Sequence, residues 1–273
     1  MDRLLLECMR QEKIEYYAVL DYNDCEVSSP RIAERMGFSP KSVVVMLLPY
    51  FVDVPQNFSV YAASLDYHLA VREITGRIID RLSESFAQYS YFGFGDHSPI
   101  DERRAALSAG LGILGKNRLL INEKYGSYCF IAEIITDAPI ALLKAIKPLP
   151  VSHCDGCNAC ISACPTGILR GECDECLSAL TQQKGELRAD VAELMRKTGT
   201  AWGCDECQRA CPYNAEPRQT PIDFFHRDRI TLLSEELLSG MSDSEFERRA
   251  FSWRGRKTVE RNLRLLSSEN DEK

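Results

Sequence analysis

The sequence lacks long apolar runs. No segment of the 273 residues approaches the roughly 18 apolar residues of a membrane span. Near the N-terminus only three consecutive leucines stand among charged residues, too few for the core of a signal peptide. We therefore expect a cytoplasmic protein that makes no contact with a membrane.

An excess of basic residues is also missing. The net charge is −7, so the surface as a whole does not favour nucleic acid, and only a local basic patch would bind it. The chain is 45% hydrophobic and 27% charged, which is the balance of a globular protein with a buried core.

Cysteine, by contrast, is abundant. Three of the twelve cysteines (Cys8, Cys25 and Cys129) precede residue 150, and the other nine lie between Cys154 and Cys211. In a cytoplasmic protein such a concentration favours metal or redox chemistry over disulfides.

The cysteine array contains a ferredoxin run and an incomplete repeat of it. The first motif is Cys154-x2-Cys157-x2-Cys160-x3-Cys164-Pro165, in which three thiolates hold one 4Fe–4S cluster and the fourth reaches a second cluster. The second motif, Cys204-x2-Cys207-x3-Cys211-Pro212, has Ala201 where its first cysteine is expected.

Two clusters need eight thiolates and the motifs supply seven, so the eighth is Cys173 or Cys176. The spacing predicts one cluster on Cys154, Cys157, Cys160 and Cys211. It predicts the other on Cys164, Cys204, Cys207 and the eighth cysteine. Structural zinc is the alternative, but zinc does not explain two CxxxCP endings that each follow a CxxC.

The remaining sequence predicts an α+β fold in three segments: residues 1–147, an α/β layered domain; 148–220, the ferredoxin-like double-cluster module; and 221–273, a short helical basic tail. Helices are expected at 2–13, 60–85, 101–109, 232–240, 243–250 and 257–266. A buried strand is expected at 43–48, and a hairpin is expected to join 118–121 to 127–136.

Between Ala109 and Asn117 three glycines occur in six residues, followed by Lys116. Glycines let backbone approach a ligand closely, and Lys116 would meet an anion there. The run fits neither the Rossmann nor the Walker pattern, so a tight structural turn is an equal alternative.

At these residues the sequence resembles the epoxyqueuosine reductase family. The resemblance is carried by Asp66-Tyr67-His68, Asp96-x-x-Pro99-x-x-Glu102-Arg103, Ala109-Gly110-Leu111-Gly112 with Gly115-Lys116, Gly126-Ser127 with Glu133, Cys164-Pro165-Thr166-Gly167, Cys176-x-Ser178-x-Leu180-Thr181, the motif from Gly203 to Asn214, and Arg261-Asn262. It runs through most of the chain and is more specific than any single motif.

The resemblance implies a cobalamin-dependent reductase of the epoxide of epoxyqueuosine in tRNA, whose clusters pass electrons to cobalt. Its corrinoid would lie between a reductase-like N-terminal domain and the cluster module. The family's pattern favours Cys176 as the eighth ligand and matches its catalytic acid to Asp96, which we expect to be buried with a raised pKa. From the residues alone, Asp96 is a turn or a helix N-cap.

Other positions have weaker support. Lys116 and Ser178 are candidate corrinoid contacts. Val71 occupies the glycine position of the Asp-x-His-x-x-Gly pattern of cobalamin enzymes, so we interpret His68 as structural or substrate-side and expect no histidine on the cobalt.

We interpret the chain as a short form of the family without C-terminal helical repeats, and on that interpretation binding of the tRNA anticodon loop is less expected. Seven basic residues and Trp253 between Glu247 and Arg264 favour such binding, whereas an ordinary solvated helix face or a tail packed on the cluster domain are the alternatives.

Three functions remain open. The first is epoxyqueuosine reduction with an external donor such as flavodoxin or ferredoxin. The second is a corrinoid iron–sulfur reductase of another small substrate, similar to dehalogenases. The third is a non-catalytic two-cluster electron-transfer protein.

Overall fold

The computed structural model describes residues 1–267, which form two compact units. Unit 1 comprises residues 1–50, 68–155 and 219–222; of the described residues, unit 2 comprises 51–67, 156–218 and 223–267. The units interleave along the chain, whereas the division predicted from the sequence is linear. Its boundaries at 147/148 and 220/221 stay predictions.

Unit 1 contains six strands, which are β1 Tyr17–Asp21, β2 Ser42–Pro49, β3 Tyr91–Phe94, β4 Ile113–Leu114, β5 Leu120–Ile121 and β6 Cys129–Thr136. Four of them form an antiparallel sheet in the order β1-β2-β6-β3. Every residue of β2 is buried, because both faces of this central strand are covered. The predicted buried strand is therefore confirmed. On one face, Val43, Val45 and Leu47 share a core with Ala106 and Leu107.

The helices of unit 1 are α1 Asp2–Gln11, α2 Pro30–Arg35, α3 Tyr67–Ser85 and α4 Glu102–Ser108. Helix α4 begins where the Asp101 side chain accepts a hydrogen bond from the Arg104 amide at 2.9 Å. It ends before Gly110, whose φ is 70°.

Helix α3 packs closely on β3 because Gly93 has no side chain. A Cβ added there would lie 2.3 Å from Thr75 Oγ1 of α3. This close approach positions His68, near the start of α3, beside the loop that follows β3. The glycine is therefore required by packing.

The predicted hairpin between 118–121 and 127–136 is wrong as a strand pairing. The chain does reverse there, and Asn122 and Gly126 exchange backbone hydrogen bonds of 2.8 and 3.0 Å. However, β5 pairs with β4, while β6 pairs with β2 and β3. The Asn122 side chain donates to the Leu111 carbonyl at 2.8 Å, which ties the turn to the segment before β4 instead.

Unit 2 is helical across the described residues, with short 3₁₀ turns. Its α-helices are α5 Ala159–Ala163, α6 Leu177–Thr181, α7 Ala189–Thr198, α8 Glu206–Arg209, α9 Glu235–Gly240, α10 Asp243–Glu247 and α11 Arg256–Ser267. The 3₁₀ segments of the two units are Tyr22–Asp24, Val60–Ala62, Ile140–Leu142, Ile168–Arg170, Pro212–Asn214, Asp223–His226 and Ser252–Arg254. The predicted helices of the C-terminal segment are present.

The C-terminal helices share a core with the rest of unit 2. Phe246, Phe251 and Val259 pack in one cluster with Phe58 and Trp202. Asn262 of α11 is fully buried and donates to the carbonyl oxygens of Thr181 and Ala201 at 2.7 and 2.8 Å. The tail is thus part of this unit, which was one of the alternatives for its sequence.

None of the helices among residues 1–267 combines the length and the apolar character needed to cross a bilayer.

Candidate functional site

Four thiols predicted to hold the second cluster are grouped within unit 2. Cys207 interacts electrostatically with Cys204, Cys176 and Cys164, and Cys204 also interacts with Cys176. The chain brings Cys164 to the end of α5, Cys176 to the start of α6 and Cys207 into α8, which packs against α5. The grouping includes Cys176, as the family pattern implies.

The environment of these thiols suits cluster binding. Burial raises the pKa of Cys204 and Cys207 to about 12, so iron must displace their protons. Burial also opposes ionisation of Cys164. There, however, N–H groups of Leu169 and Gly167 and the Thr166 hydroxyl together outweigh it and lower the pKa. Such donors stabilise a thiolate.

The thiols of Cys164, Cys176, Cys204 and Cys207 form one group, with Asp205 beside them. A 4Fe–4S cluster takes one cysteine thiolate on each of its four irons, so this group supplies the ligands that one cubane needs. Four thiolates also suit structural zinc, and the spacing of the two CxxxCP endings is what favours the cluster. The assignment of individual ligands stays a prediction.

The other predicted ligands are distributed between the units. Cys154 belongs to unit 1, where its Sγ accepts a hydrogen bond from the Lys116 amide at 3.2 Å. Cys157, Cys160 and Cys211 belong to unit 2, and Cys157 Sγ accepts from the Ala159 amide at 3.4 Å.

The spare cysteine, Cys173, has backbone partners instead of other thiols. Its Sγ lies 3.2 Å from the carbonyl oxygens of both Thr166 and Glu175. Both of these oxygens are hydrogen-bond acceptors, so backbone surrounds this sulfur where the other cysteines of the group have thiols.

Asp96 lies in the loop after β3, and the expectation that it is buried is wrong. Its side chain is 53% exposed and its carboxylate Oδ2 lies 3.7 Å from His68 Nε2. The reason is its backbone: Asp96 has a φ of 70°, and its amide, not its carboxyl, is bonded inwards to Glu102 Oε2 at 2.8 Å. The N-cap of α4 is Asp101, so Asp96 does not serve as that cap.

Behind this loop lie two carboxyl groups, of which Glu133 is fully buried and Glu102 is partly buried. Burial raises the pKa of Glu102 to about 7 and that of Glu133, in β6, to about 8. The hydroxyl of Ser98 donates to Glu133 Oε2. Glu133 Oε1 has no hydrogen-bond partner in the described part of the chain. Raised carboxyl pKa values of this kind are typical of functional sites.

In the sequence, Glu102 and Glu133 stand out only as parts of the family pattern, with no role of their own. A signal for Glu133 was nevertheless present, because it is the only charged residue of the apolar strand Cys129–Thr136. A charge in such a strand is costly unless it has a purpose or a partner.

The glycine run ahead of Lys116 is explained in part by packing. A Cβ on Gly112 would lie 2.5 Å from the Ile121 carbonyl oxygen, and one on Gly115 would lie 2.3 Å from Asn117 Oδ1. The side chain of Lys116 is exposed, whereas Asn117 is buried and its Nδ2 has no acceptor among residues 1–267.

Ser178 lies in α6, two residues beyond Cys176. Its hydroxyl oxygen is within 3.4 Å of Gln182 Nε2. Its predicted role as a corrinoid contact, like that of Lys116, stays a prediction.

The basic C-terminal segment divides into structural and exposed residues. Arg249 donates to the Asp228 carbonyl, Arg256 to the Leu238 carbonyl and Arg261 to the Gln183 carbonyl. These three arginines hold segments of unit 2 together through their hydrogen bonds. They therefore do not belong to the basic groups of this segment that face solvent.

A different group of side chains in this segment faces outwards. Trp253 is 58% exposed, and the guanidinium of Arg254 lies over its ring, 3.7 Å from the centroid. Arg248 and Lys257 are exposed nearby in the sequence, and neither side chain has a hydrogen bond or ion pair within the described residues.

Comparison with known proteins covers both the cluster segment and the whole chain. The family model described as "4Fe-4S double cluster binding domain" matches residues 153–214, which confirms the prediction of two 4Fe–4S clusters. The epoxyqueuosine reductase of Leadbetterella byssophila is 33% identical over 240 residues, which are 83% of this chain and 77% of that protein. That of Pseudomonas aeruginosa is 32% identical over 204 residues, 70% of this chain and 55% of the relative.

A similar structure is that of an epoxyqueuosine reductase with an epoxyqueuosine-modified tRNA-Tyr stem loop. It shares 25% identity, has a TM-score of 0.73, and the match covers 97% of this chain and 80% of that one. The likeness confirms the predicted α+β fold class. The chain spans about half the length of the first curated relatives.

Proposed function

Since the chain belongs to the epoxyqueuosine reductase family, we propose that it reduces the epoxide of epoxyqueuosine in tRNA to give queuosine. The reaction takes up two electrons and two protons, breaks both C–O bonds of the epoxide and releases the oxygen as water. The double-cluster segment supports the proposal because it provides a route for single electrons from an external donor. A flavodoxin or a ferredoxin is a suitable donor.

The observation that carries the proposal is the exposed Asp96 carboxyl within 3.7 Å of His68, in a chain that also has a double-cluster domain. Protonation of the opening epoxide oxygen needs an acid that substrate can reach, and Asp96 meets that need. His68 is half-exposed beside it and is placed to orient the carboxyl.

We also propose that the chain binds cobalamin. When bound, a corrinoid would supply a redox-active cobalt centre for the reduction of the epoxide. The buried Nδ2 of Asn117, which has no acceptor among the described residues, supports a ligand rich in acceptor oxygens near Lys116. Lys116 and Ser178 would contribute the further contacts.

Anaerobic reconstitution followed by titration with cobalamin tests this cofactor. We expect cluster absorbance together with a stoichiometric corrinoid spectrum. A protein that binds clusters but no corrinoid would instead be an electron-transfer protein.

An assay on tRNA that contains epoxyqueuosine tests the substrate. Asp96→Asn should abolish turnover while the clusters and corrinoid stay bound. Asp80→Asn, at an exposed position of α3, is the matched control and should change nothing. Unchanged turnover in Asp96→Asn would remove the acid role. Corrinoid binding without turnover on this tRNA would favour a different small substrate.

For the tRNA itself, we propose a contact surface formed by Arg248, Trp253, Arg254 and Lys257. An exposed ring stacks on an unpaired base of a loop, and a guanidinium stacked on that ring adds a positive charge close to the phosphates. This patch is local, which agrees with the acidic net charge of the chain.

A further inference from the structure

The loop from Gly95 to Ile100 is fastened to unit 1 at two points by carboxyl groups. At one point Glu102 Oε2 accepts a hydrogen bond of 2.8 Å from the amide of Asp96. At the other, Glu133 Oε2 accepts a hydrogen bond from the hydroxyl of Ser98. Ser98 Oγ in turn accepts from the Ile100 amide at 3.3 Å, so the hydroxyl is held from both sides.

The first of these points constrains an unfavourable backbone conformation. Asp96 has a φ of 70°, in the left-handed region that residues other than glycine rarely adopt. Such a conformation persists when the surroundings determine it. The Glu102 carboxylate supplies this constraint through the Asp96 amide, and the His97 amide adds a 2.9 Å bond to the Gly95 carbonyl.

The second point is anchored in the sheet. Glu133 is fully buried and stands in β6 opposite Val45 of β2 and Phe94 of β3. Its position is therefore fixed by backbone pairing on both sides. An acceptor that cannot move holds Ser98, and with it the end of the loop.

We propose that Glu102 is a positioning residue for Asp96, holding its amide so that its carboxyl faces the substrate, while Glu133 and Ser98 hold the other end of the same loop. This inference rests on the proposed function for the role of Asp96. The positioning itself is a property of the chain's own residues and is measurable without cofactor or substrate.

The strength of the hydrogen bond between the Asp96 amide and Glu102 depends on whether the Glu102 carboxyl is protonated. Burial raises the pKa of Glu102 to about 7, and the titratable groups that face it are Asp96, Asp101, His68 and, from β6, Glu133. A carboxylate accepts a hydrogen bond more strongly than a neutral carboxyl group does. The hold on the Asp96 amide therefore strengthens as the pH rises through about 7.

Burial raises the pKa of Glu133, the hydrogen bond from the Ser98 hydroxyl acts against this, and the charged groups that face Glu133 add to the effect of burial. Glu102 and Asp101 raise its pKa further, after burial. Tyr22 and Cys25 also lie within electrostatic reach of it. Glu133 and Glu102 therefore oppose each other's ionisation behind the loop.

Hydrogen exchange of the Asp96 amide in the full-length, cluster-loaded protein tests the positioning. Glu102→Ala removes the acceptor and should raise the exchange rate, corrected for pH, by about tenfold, the worth of one such bond. Glu102→Gln keeps a carbonyl acceptor and should restore most of the protection. Glu84→Ala, at an exposed position of α3, is the matched control. Unchanged exchange in a folded Glu102→Ala protein would overturn the proposal.

If Glu102→Ala does not fold, a second measurement tests the positioning without this variant. In the wild-type protein, protection of the Asp96 amide should increase as the pH rises through about 7, whereas in Glu102→Gln it should not depend on pH in this range. The same pH dependence in both proteins would contradict the role of Glu102.

Kinetics connect the positioning to the reaction. On epoxyqueuosine tRNA, Glu102→Ala should lower kcat by about tenfold or more with little change in KM, because binding does not depend on the carboxyl of Asp96. Glu102→Gln should retain kcat above pH 7 and lose the wild-type pH dependence. If the wild-type protein has no such activity, the proposed function fails, and the exchange experiment still decides the positioning.

Discussion

The hydroxyl of Ser98 donates a hydrogen bond to Glu133 in the interior of the four-stranded sheet, two residues after the exposed Asp96. The exposed carboxyl of Asp96 is thus only two residues from a hydroxyl that is hydrogen-bonded to the buried carboxyl of Glu133. Because burial disfavours the charged form of Glu133, this carboxyl makes the free energy of unfolding depend on pH.

Glu133→Gln should change how stability depends on pH. The pKa of Glu133 is raised from 4.5 to about 8 on folding, so its contribution to stability is complete below about 4.5 and is lost as the pH rises through about 8. A pKa that differs by one between the folded and unfolded states corresponds to about 1.4 kcal/mol, so we expect a loss of a few kcal/mol in the wild-type protein across this range.

Denaturant unfolding at several pH values measures this effect. Relative to Glu133→Gln, the free energy of unfolding of the wild-type protein should fall between about pH 5 and about pH 8 and then level off. Glu84→Gln, at an exposed position, should follow the wild type. Parallel wild-type and Glu133→Gln curves would show that Glu133 is not buried with a raised pKa.

Replacement of Cys176 should affect one cluster, whereas replacement of Cys173 should not. Cys207 interacts with Cys176, while Cys173 lies against the Thr166 and Glu175 carbonyl oxygens. We expect Cys176→Ala to lose roughly half of the bound iron and sulfide, because one of two clusters no longer has four thiolates. Iron analysis and EPR after anaerobic reconstitution measure this, with Cys173→Ala as the control. Equal iron contents in the two variants would contradict the assignment, and a loss in Cys173→Ala alone would reverse it.

Gly203→Ala should destabilise unit 2 more than Gly199→Ala. Both glycines have positive φ, 70° and 62°, so both substitutions strain the backbone by about 1–2 kcal/mol. Only at Gly203 would the added Cβ also meet an obstacle, Ser59 Cβ at 2.5 Å.

Thermal unfolding of the two alanine variants separates the contact from the backbone strain. The extra cost at Gly203 should be about 1–3 kcal/mol, as for overpacking of a core. Because Cys204 follows directly, Gly203→Ala should also reduce the occupancy of the cluster that it is predicted to bind. Equal stabilities would mean that Ser59 yields without cost.

Trp253→Ala should weaken binding of an epoxyqueuosine-containing tRNA stem loop. Loss of one base–aromatic stack costs about 1–3 kcal/mol, or roughly 5- to 150-fold in Kd. Tyr213→Ala, which removes another exposed ring of unit 2 (52% exposed), is the control. Fluorescence anisotropy at fixed salt measures both.

The salt dependence of tRNA binding tests the charged residues of the same surface. Arg254→Gln and Lys257→Gln should each reduce the slope of log K against log salt concentration by somewhat less than one. Arg256→Gln should instead reduce stability, because this guanidinium bonds to the Leu238 and Met241 carbonyl oxygens. If all three substitutions lower stability and none changes the salt dependence of tRNA binding, the surface does not bind tRNA.

The sequence predicts best those features whose partners are close along the chain. The spacing of Cys154 to Cys164 indicates a cluster because consecutive ligands lie two or three residues apart. The apolar run of β2 indicates burial for a similar reason. Helix α4 is delimited by Asp101 and Gly110, both local signals.

Features that depend on distant partners were not predictable. The pairing of β2 with β6 joins Val45 to Glu133, 88 positions apart, and no local pattern indicates it. The exposure of Asp96 follows from its bond to Glu102 and from its left-handed backbone, which spacing does not reveal. The hairpin failed because Asn122 ties its turn to Leu111.

Ala201 stands where a ferredoxin repeat would have its cysteine, and it is completely buried in the core of unit 2. Its amide donates to the Asn57 carbonyl at 2.6 Å and its carbonyl accepts from Asn262, so neighbouring chain holds its backbone from both sides. A cysteine introduced there would place its sulfur among the apolar side chains of this core. The position at which the repeat pattern expects a ligand is therefore a packing position in this chain, and the second motif joins the core of unit 2 to the segment that is predicted to bind a cluster.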